Sequence, residues 1–302
     1  MIKKFFTSVV AFAFLFFAFD RIGGWLMSIC LDKTDAKAEV KMRYLVEDVS
    51  EPILLMGTSR CAYHYIPSII SDSLNAEVYN GGISASDNIY SHYILLNLIL
   101  KHHKPNVVCL EMMTNDLLVQ DDSFSKIAFF APYFGRSAQA DSVYMDSGRY
   151  WNYKIFHLYR YNSKAIEMLG GMLVNHRYGE DHGYFKILGT RDESITIKDE
   201  EPYEEVDSMK LHYFQKFIYQ CHSNGIKLVC MVSPRYSKVV KDEYKTLKDI
   251  AESNGVPFLD YHSAGLYLDR PELFRDNGHM LEEGANAYSS IFASDLKRVI
   301  GQ

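Results

Sequence analysis

An aspartate three residues ahead of a histidine, in Asp276-Asn277-Gly278-His279, is the sharpest chemical pattern in this chain. On one tight loop such a carboxylate can hold the imidazole Nδ1–H, which fixes the tautomer whose Nε2 accepts a proton from a hydroxyl. A serine to supply that hydroxyl stands far upstream, in Gly57-Thr58-Ser59-Arg60, straight after the apolar run Ile53-Leu54-Leu55-Met56. Asn80-Gly81-Gly82 and Thr114-Asn115-Asp116 also follow strand-like runs and bring further polar groups. Acyl transfer needs a nucleophile, a base, an orienting group for the base and donors for the oxyanion, and these residues can fill all four roles. Each also has a purely structural reading. Gly57, Thr58 and Ser59 suit a turn or a helix N-cap, Asn115 and Asp116 suit a turn, and Asp276 and His279 suit the cap of a final helix. Arg60 either meets an anionic substrate or caps the turn.

The elements that position them alternate. Strands are predicted at residues 53–56, 78–79, 107–110, 226–232 and 256–259, apolar enough to be covered on both faces. Helices are predicted at 64–74, 209–221, 241–253 and 284–299. Another, capped by Asp87, carries Ile89, Tyr93, Leu96, Ile99 and Leu100 at helical spacing and is ended by Pro105. Strands alternating with helices imply an α/β, doubly wound, mostly parallel sheet of flavodoxin-like type over residues 51–300, with ligands at the carboxyl ends of the strands. From about 117 to 206 the alternation lapses into a stretch rich in Tyr, Phe, His and Gly. Ninety structureless residues are improbable in a compact domain, so this reads as an inserted, partly helical, aromatic-rich subdomain or lid.

Ahead of the domain, Lys3 and Lys4 precede an apolar run over residues 5–19, which Asp20 and Arg21 interrupt. Fifteen residues make a helix of roughly 22 Å, short of a ~30 Å hydrocarbon core and closer to a signal peptide. No Ala-x-Ala cleavage site follows, and Ile29 before Cys30 suits a lipoprotein site poorly. Continued through Ile22, Trp25, Leu26, Met27 and Ile29, with Asp20 and Arg21 neutralising each other or snorkelling, the helix spans. Residues 1–31 are therefore expected to be a signal anchor, with a signal peptide as the alternative, and residues 32–50 a linker or a helix leading away. The basic end places the domain outside the cytoplasm, facing the periplasm or cell exterior.

A net charge of −6 with no clustered Lys and Arg argues against a nucleic-acid partner. Cys30, Cys61, Cys109, Cys221 and Cys230 show no CxxC pair and no metal-ligand spacing. His102 and His103 read as solvated, and His176 and His182 lack a third ligand, so no metal or cofactor is expected. The 22 Tyr and 18 Phe suit core first, then membrane-facing surface or sugar-stacking platforms.

The set of motifs resembles the SGNH, or GDSL-type, hydrolase superfamily, and particularly its membrane-anchored branch acting on cell-envelope glycans. Gly57-Thr58-Ser59 resembles the first block, Asn80-Gly81-Gly82-Ile83-Ser84-Ala85 the second, Thr114-Asn115-Asp116 the third, and Asp276-Asn277-Gly278-His279 with the following Met280-Leu281-Glu282-Glu283-Gly284-Ala285 the fifth. Thr58 stands where the family has aspartate, and Ala85 and Met113 stand where it has glycine. The resemblance implies Ser59 as nucleophile, His279 as base, Asp276 as its orienting acid, and an oxyanion hole from the Ser59 and Ala85 N–H groups and the Asn115 amide, with Gly82 as an alternative to Ala85. It implies an esterase or acyltransferase acting on O-acyl groups, O-acetyl in particular, of an envelope polysaccharide. The alternatives are a non-catalytic glycan-binding or assembly protein on the same fold and a lipid or thioester hydrolase.

Overall fold

A computed structural model describes residues 2–84, 88–120, 122–173, 181–192, 196 and 205–301. The chain opens with two helices, α1 (Ile2–Lys33) and α2 (Lys37–Glu47). Strand β1 (Ile53–Met56) then leads into α3 (Ser59–His64) and α4 (Pro67–Leu74). Strand β2 (Val78–Asn80), α5 (Ile89–Ile99) and β3 (Val107–Glu111) complete the first half. The insertion contributes α6 (Ala138–Asp146), α7 (Tyr150–Ile155) and α8 (Ala165–Gly171). The scaffold resumes with α9 (Ser208–Ser223), β4 (Lys227–Val232), α10 (Lys245–Ser253), β5 (Phe258–Asp260) and α11 (Glu282–Ile300).

Among the described residues the five strands form one parallel sheet in the order β2-β1-β3-β4-β5. This is the doubly wound, flavodoxin-like order, whose chain direction reverses between β1 and β3. Period-two alternation splits the strand residues between two cores. Leu54, Met56, Val108 and Leu110 face the cluster built by α5 and α9, while Ile53, Leu55, Val107 and Cys109 face α4 and α11. Every residue of α5 is buried, which explains why its apolar positions run almost all round the helix.

Three expectations are refined. The helix predicted over 64–74 is α4 and starts only at Pro67, because His64 closes the preceding α3 and the path is broken at Tyr65 and Ile66. Both hold extended backbone as the C-cap of α3 and the N-cap of α4, and a residue ahead of a proline, here Pro67, is kept out of the helical region. Of the two readings of residues 32–50, a linker or a helix leading away, the structure has the helix: α2 buries Met42 and Leu45 completely in the core and pairs buried Glu39 with Lys164 of the insertion. The residue that caps α5 is Asn88, whose side chain accepts the Ser91 N–H, and Asp87 lies outside the described residues.

The insertion is closed at its base by an antiparallel bridge between Leu118 and Val206, with Val119 N donating to Glu205 O at 3.0 Å and Asp207 N to Leu117 O at 2.8 Å. Its aromatic side chains are mainly core: Phe130, Tyr133, Tyr144 and Tyr153 are buried, and Phe134, Tyr144 and Tyr153 pack ring against ring. Its helix α6 packs on α5, α7 on α6 and α8 on α1, and Glu167 of α8 shares a cavity with Tyr63, Gly82 and Ser84 at the carboxyl ends of the strands. Residues 181–192 return to those ends: His182 O accepts from Asn80 N, Phe185 N donates to Ala62 O, and Asp192 N donates to Arg275 O.

Candidate active site

Ser59 is the first residue of α3, directly past the end of β1, so it stands at the reversal point of the sheet. As the first helical residue, its N–H has no acceptor within the helix. Gly57, with φ of +154°, makes the turn possible, since a Cβ there would sit 2.7 Å from Glu111 Cβ and 2.8 Å from Cys61 Cβ. The Ser59 hydroxyl lies 2.8 Å from His279 Nε2. On the other side of the ring, His279 Nδ1 is 3.0 Å from both carboxylate oxygens of Asp276. With Nδ1–H donated to Asp276, Nε2 is the acceptor for the serine proton. Asp276 is itself held by its own loop, Oδ1 accepting from Gly278 N at 2.8 Å and His279 N at 2.9 Å. Partial burial pulls its carboxyl upward, but the His279 hydrogen bond and the two N–H donors outweigh that and hold it down at about 2. The side chains of His279 and Asp276 are about one-third exposed, so the relay opens to solvent and to substrate.

The strand-end loops are stitched together beneath this relay. Ile83 N donates to Gly57 O at 2.9 Å, and Thr58 Oγ1 donates to Met113 Sδ at 3.2 Å. Thr58 and Met113, the two departures from the resembled motifs, thus face each other as a pair. Asp116 accepts from Met113 N at 2.7 Å and closes the 3-10 turn Thr114–Asp116. Asn115 is half-buried in that turn, with its carbonyl accepting from Lys210 Nζ at 2.9 Å. No hydrogen bond engages its side-chain amide among the described residues.

Of the oxyanion candidates, Ser59 and Asn115 stand on the two loops that flank the reversal point, and Ala85 lies outside the described residues. Gly82 is corrected. Its N–H is donated to Asn80 Oδ1 at 3.0 Å, and its lack of a side chain serves packing, since a Cβ would fall 2.4 Å from Ala62 N. Arg60 is corrected as well. It neither caps the turn nor faces a ligand but is buried, with Nη2 donating to Met112 O and Nε 3.4 Å from Glu111 Oε1.

Several supporting residues gave little sign of themselves in the sequence. Glu111 ends β3 fully buried and accepts from Ser233 N at 3.0 Å, Ser233 Oγ at 2.7 Å and the Tyr65 hydroxyl. Burial pushes its carboxyl up against the opposing pull of Arg60, Tyr65 and Ser233. Ser233 Oγ in turn lies 2.8 Å from His64 Nδ1, and His64 Nε2 accepts from Met280 N at 3.1 Å. Burial, together with the charges of His279 and Arg60, lowers the His64 pKa well below its ordinary value, so the ring stays neutral. This chain connects Arg60, the residue after Ser59, to Met280, the residue after His279. A charged residue closing an apolar strand was the one available signal, at Glu111. Asn80 clamps the end of α3, donating from Nδ2 to Cys61 O at 2.7 Å and Tyr65 O at 2.8 Å. Tyr63 packs edge-on against the His279 ring at 5.5 Å and lines a neighbouring cavity of about 370 Å³ together with Lys41, Ser84, Phe185 and Lys186.

The fold and the site together give a doubly wound parallel α/β protein with Ser59, His279 and Asp276 hydrogen-bonded in line at the reversal point of its sheet. No protein-family model matches the chain, and no curated protein does. Solved structures are similar at low identity. A Bacteroides fragilis NCTC 9343 protein described as an acylhydrolase is 12% identical, covering 88% of this chain and 99% of its own at a TM-score of 0.41. A lipolytic protein of the G-D-S-L family from Desulfitobacterium hafniense DCB-2 is 10% identical, covering 80% and 98% at 0.39. A GDSL-like lipase from Bacteroides thetaiotaomicron VPI-5482 is 10% identical, covering 87% and 98% at 0.38.

Proposed function

We propose that this chain is a membrane-anchored serine ester hydrolase or acyltransferase of SGNH type, acting outside the cytoplasm on O-acyl groups of an envelope polysaccharide. The observation that carries the catalytic reading is the relay itself, with Ser59 Oγ 2.8 Å from His279 Nε2 and His279 Nδ1 3.0 Å from Asp276. Ser59 attacks the acyl carbonyl as His279 takes its proton. The tetrahedral oxyanion is met by the Ser59 N–H and the Asn115 amide, with the Ala85 N–H as the third expected donor. His279 then returns the proton to the departing sugar oxygen, leaving an acyl-Ser59 ester. Water or a second hydroxyl, deprotonated by His279, attacks that ester and releases free Ser59. Hydrolysis and transfer share everything up to this last acceptor.

For the substrate, support comes from the resembled branch and from the cavity beside His279, whose Tyr63 and Phe185 rings offer flat faces and whose Lys37 and Lys186 are exposed cations. Labelling with a fluorophosphonate probe tests the catalytic reading: wild type reacts, while Ser59→Ala and His279→Ala do not. A folded wild type that stays unlabelled would end the esterase reading and favour a non-catalytic glycan-binding protein. Short acetyl esters are expected to turn over faster than long-chain ones, and the reverse order would mark a lipid hydrolase. A C-terminal reporter active only outside the cytoplasm is expected to be active.

A further inference from the structure

Helix α1 holds 32 residues, roughly 48 Å of helix, with a mean hydropathy high enough to cross a membrane. Its first part projects from the domain, with Phe5, Phe12, Phe14 and Phe19 each more than 60% exposed. Its second part is built into the insertion. Asp20, in the middle of the apolar stretch, is only 6% exposed, and its carboxylate accepts from His157 N at 2.8 Å and Leu158 N at 3.0 Å. Next to it Gly24 leaves no room for a side chain, because a Cβ there would fall 2.6 Å from His157 Cβ. Phe16 meets Phe156 edge-on at 6.3 Å. The corner between α7 and the 3-10 segment Leu158–Tyr161 is therefore fastened to α1 over residues 16–24.

That position fixes a depth. A span of ~20 residues that begins just after Lys3 and Lys4 ends close to Gly24. A protein corner clamped to residues 16–24 then lies against the outermost part of that span, from roughly 12 Å inside the outer hydrocarbon edge up to the edge itself. What this corner shows to the outside is apolar and aromatic: Trp151 is 66% exposed, and Ile155, Phe156 and Tyr159 are exposed as well. Large apolar side chains grouped beside a membrane helix are costly in water and favourable in the interface, where Trp and Tyr concentrate. Charged groups flank them where an interface would accept them, with Lys154 exposed and the Arg21 guanidinium 4.3 Å over the Phe17 ring.

We infer that the corner formed by Trp151, Ile155, Phe156 and Tyr159 is a second, monotopic membrane contact that dips into the outer leaflet beside α1. The partner is the lipid interface. Two contacts in place of one stop the domain from swinging on its anchor, so the catalytic relay keeps a fixed height and tilt above the bilayer. The inference rests on the reading of α1 as a membrane span.

The chain has only two tryptophans, Trp25 on α1 and Trp151 on the corner, so each can be read alone. The full-length Trp25→Phe and Trp151→Phe proteins are reconstituted into phosphatidylcholine–phosphatidylglycerol vesicles carrying lipids brominated near the headgroup end of the acyl chain. Tryptophan emission is then measured with and without aqueous iodide. In Trp25→Phe, the remaining Trp151 is expected to lose most of its emission to the brominated lipid, to emit further to the blue than in detergent-free buffer, and to resist iodide. Quenching of Trp25 alone, with Trp151 open to iodide, overturns the second contact and leaves the anchor standing. Quenching of neither overturns both the contact and the span.

Discussion

At the scale of single residues, Asp276 bears two loads that one substitution separates. Its Oδ1 organises the loop by accepting from Gly278 N and His279 N, and its carboxylate orients the imidazole through Nδ1. An asparagine can keep the first set of bonds through its amide oxygen. Its NH₂ then faces Nδ1 and favours the tautomer with the proton on Nε2, the wrong one for accepting from Ser59. Asp276→Asn is therefore expected to stay folded by circular dichroism while kcat falls about 10³- to 10⁴-fold, as tautomer errors in such triads do. His64 contributes a pH response to stability. Because burial holds its pKa below the ordinary 6.5, the unfolded chain binds a proton near and below that pH which the folded chain refuses. Its contribution is present above about pH 6.5 and shrinks on acidification. His64→Gln, with nothing to titrate, should melt below wild type at about pH 7.5, and the gap should narrow towards about pH 5.5; a constant gap would assign His64 no titrating role. Ser59, Asp276 and His279 were readable in the sequence because their pattern is local: a strand end for the first and a three-residue spacing for the other pair. His64, Glu111 and Ser233 were not, because their meaning arises only where α3, β3 and the end of β4 converge. Arg60 was misread for the same reason, since the Glu111 that draws it inward lies on another strand.

At the scale of elements, the strands were legible almost to the residue, because burial on both faces leaves an unbroken apolar run of strand length. Helix limits were less so. Pro67 keeps α4 from starting at His64, where α3 ends, and α2 was only one of two readings because Glu39 and Lys41 are buried by partners distant in sequence. Lys41 Nζ donates to the carbonyls of Gly82 and Gly183, and Glu39 meets Lys164. The β1–α3 junction is where backbone geometry constrains the Ser59 site most tightly. It places Ser59 only because Gly57 lets the chain turn within van der Waals distance of β3. In Gly57→Ala the new methyl meets Glu111 Cβ and Cys61 Cβ inside 3 Å, at a backbone angle that side chains rarely adopt. Either β3 or α3 must then move. The expected loss is on the order of 3 kcal/mol in denaturant unfolding, with slower probe labelling of Ser59 in the fraction that remains folded. Unchanged stability with unchanged labelling would mean that the turn is looser than the contacts around Gly57 require.

At the scale of the whole molecule, the second half of α1 belongs to the fold of the domain. Its Asp20 carboxylate is buried against the backbone of residues 157 and 158, and its Gly24 has no space for a methyl. The insertion is held from two sides, by α1 on one and by α5 with the Glu39–Lys164 pair on the other, while its base is pinned by the Leu118–Val206 bridge. Removing the α1 side should therefore loosen the insertion without unravelling the sheet, because the strands draw their burial from α4, α5, α9 and α11 instead. Asp20→Ala in the full-length protein leaves the His157 and Leu158 N–H groups without their acceptor, and an unmet buried donor costs about 1–3 kcal/mol. Amide hydrogen exchange reads this regionally. Exchange over residues 150–171 is expected to quicken by one to two orders of magnitude, as about 1–3 kcal/mol of local destabilisation implies, while β1, β3 and β4 keep wild-type protection and Ser59 keeps its reactivity. A uniform rise across sheet and insertion would show that the molecule unfolds as one unit. No rise at all would show that α1 is a mere tether and that its buried aspartate contributes nothing to holding the insertion in place.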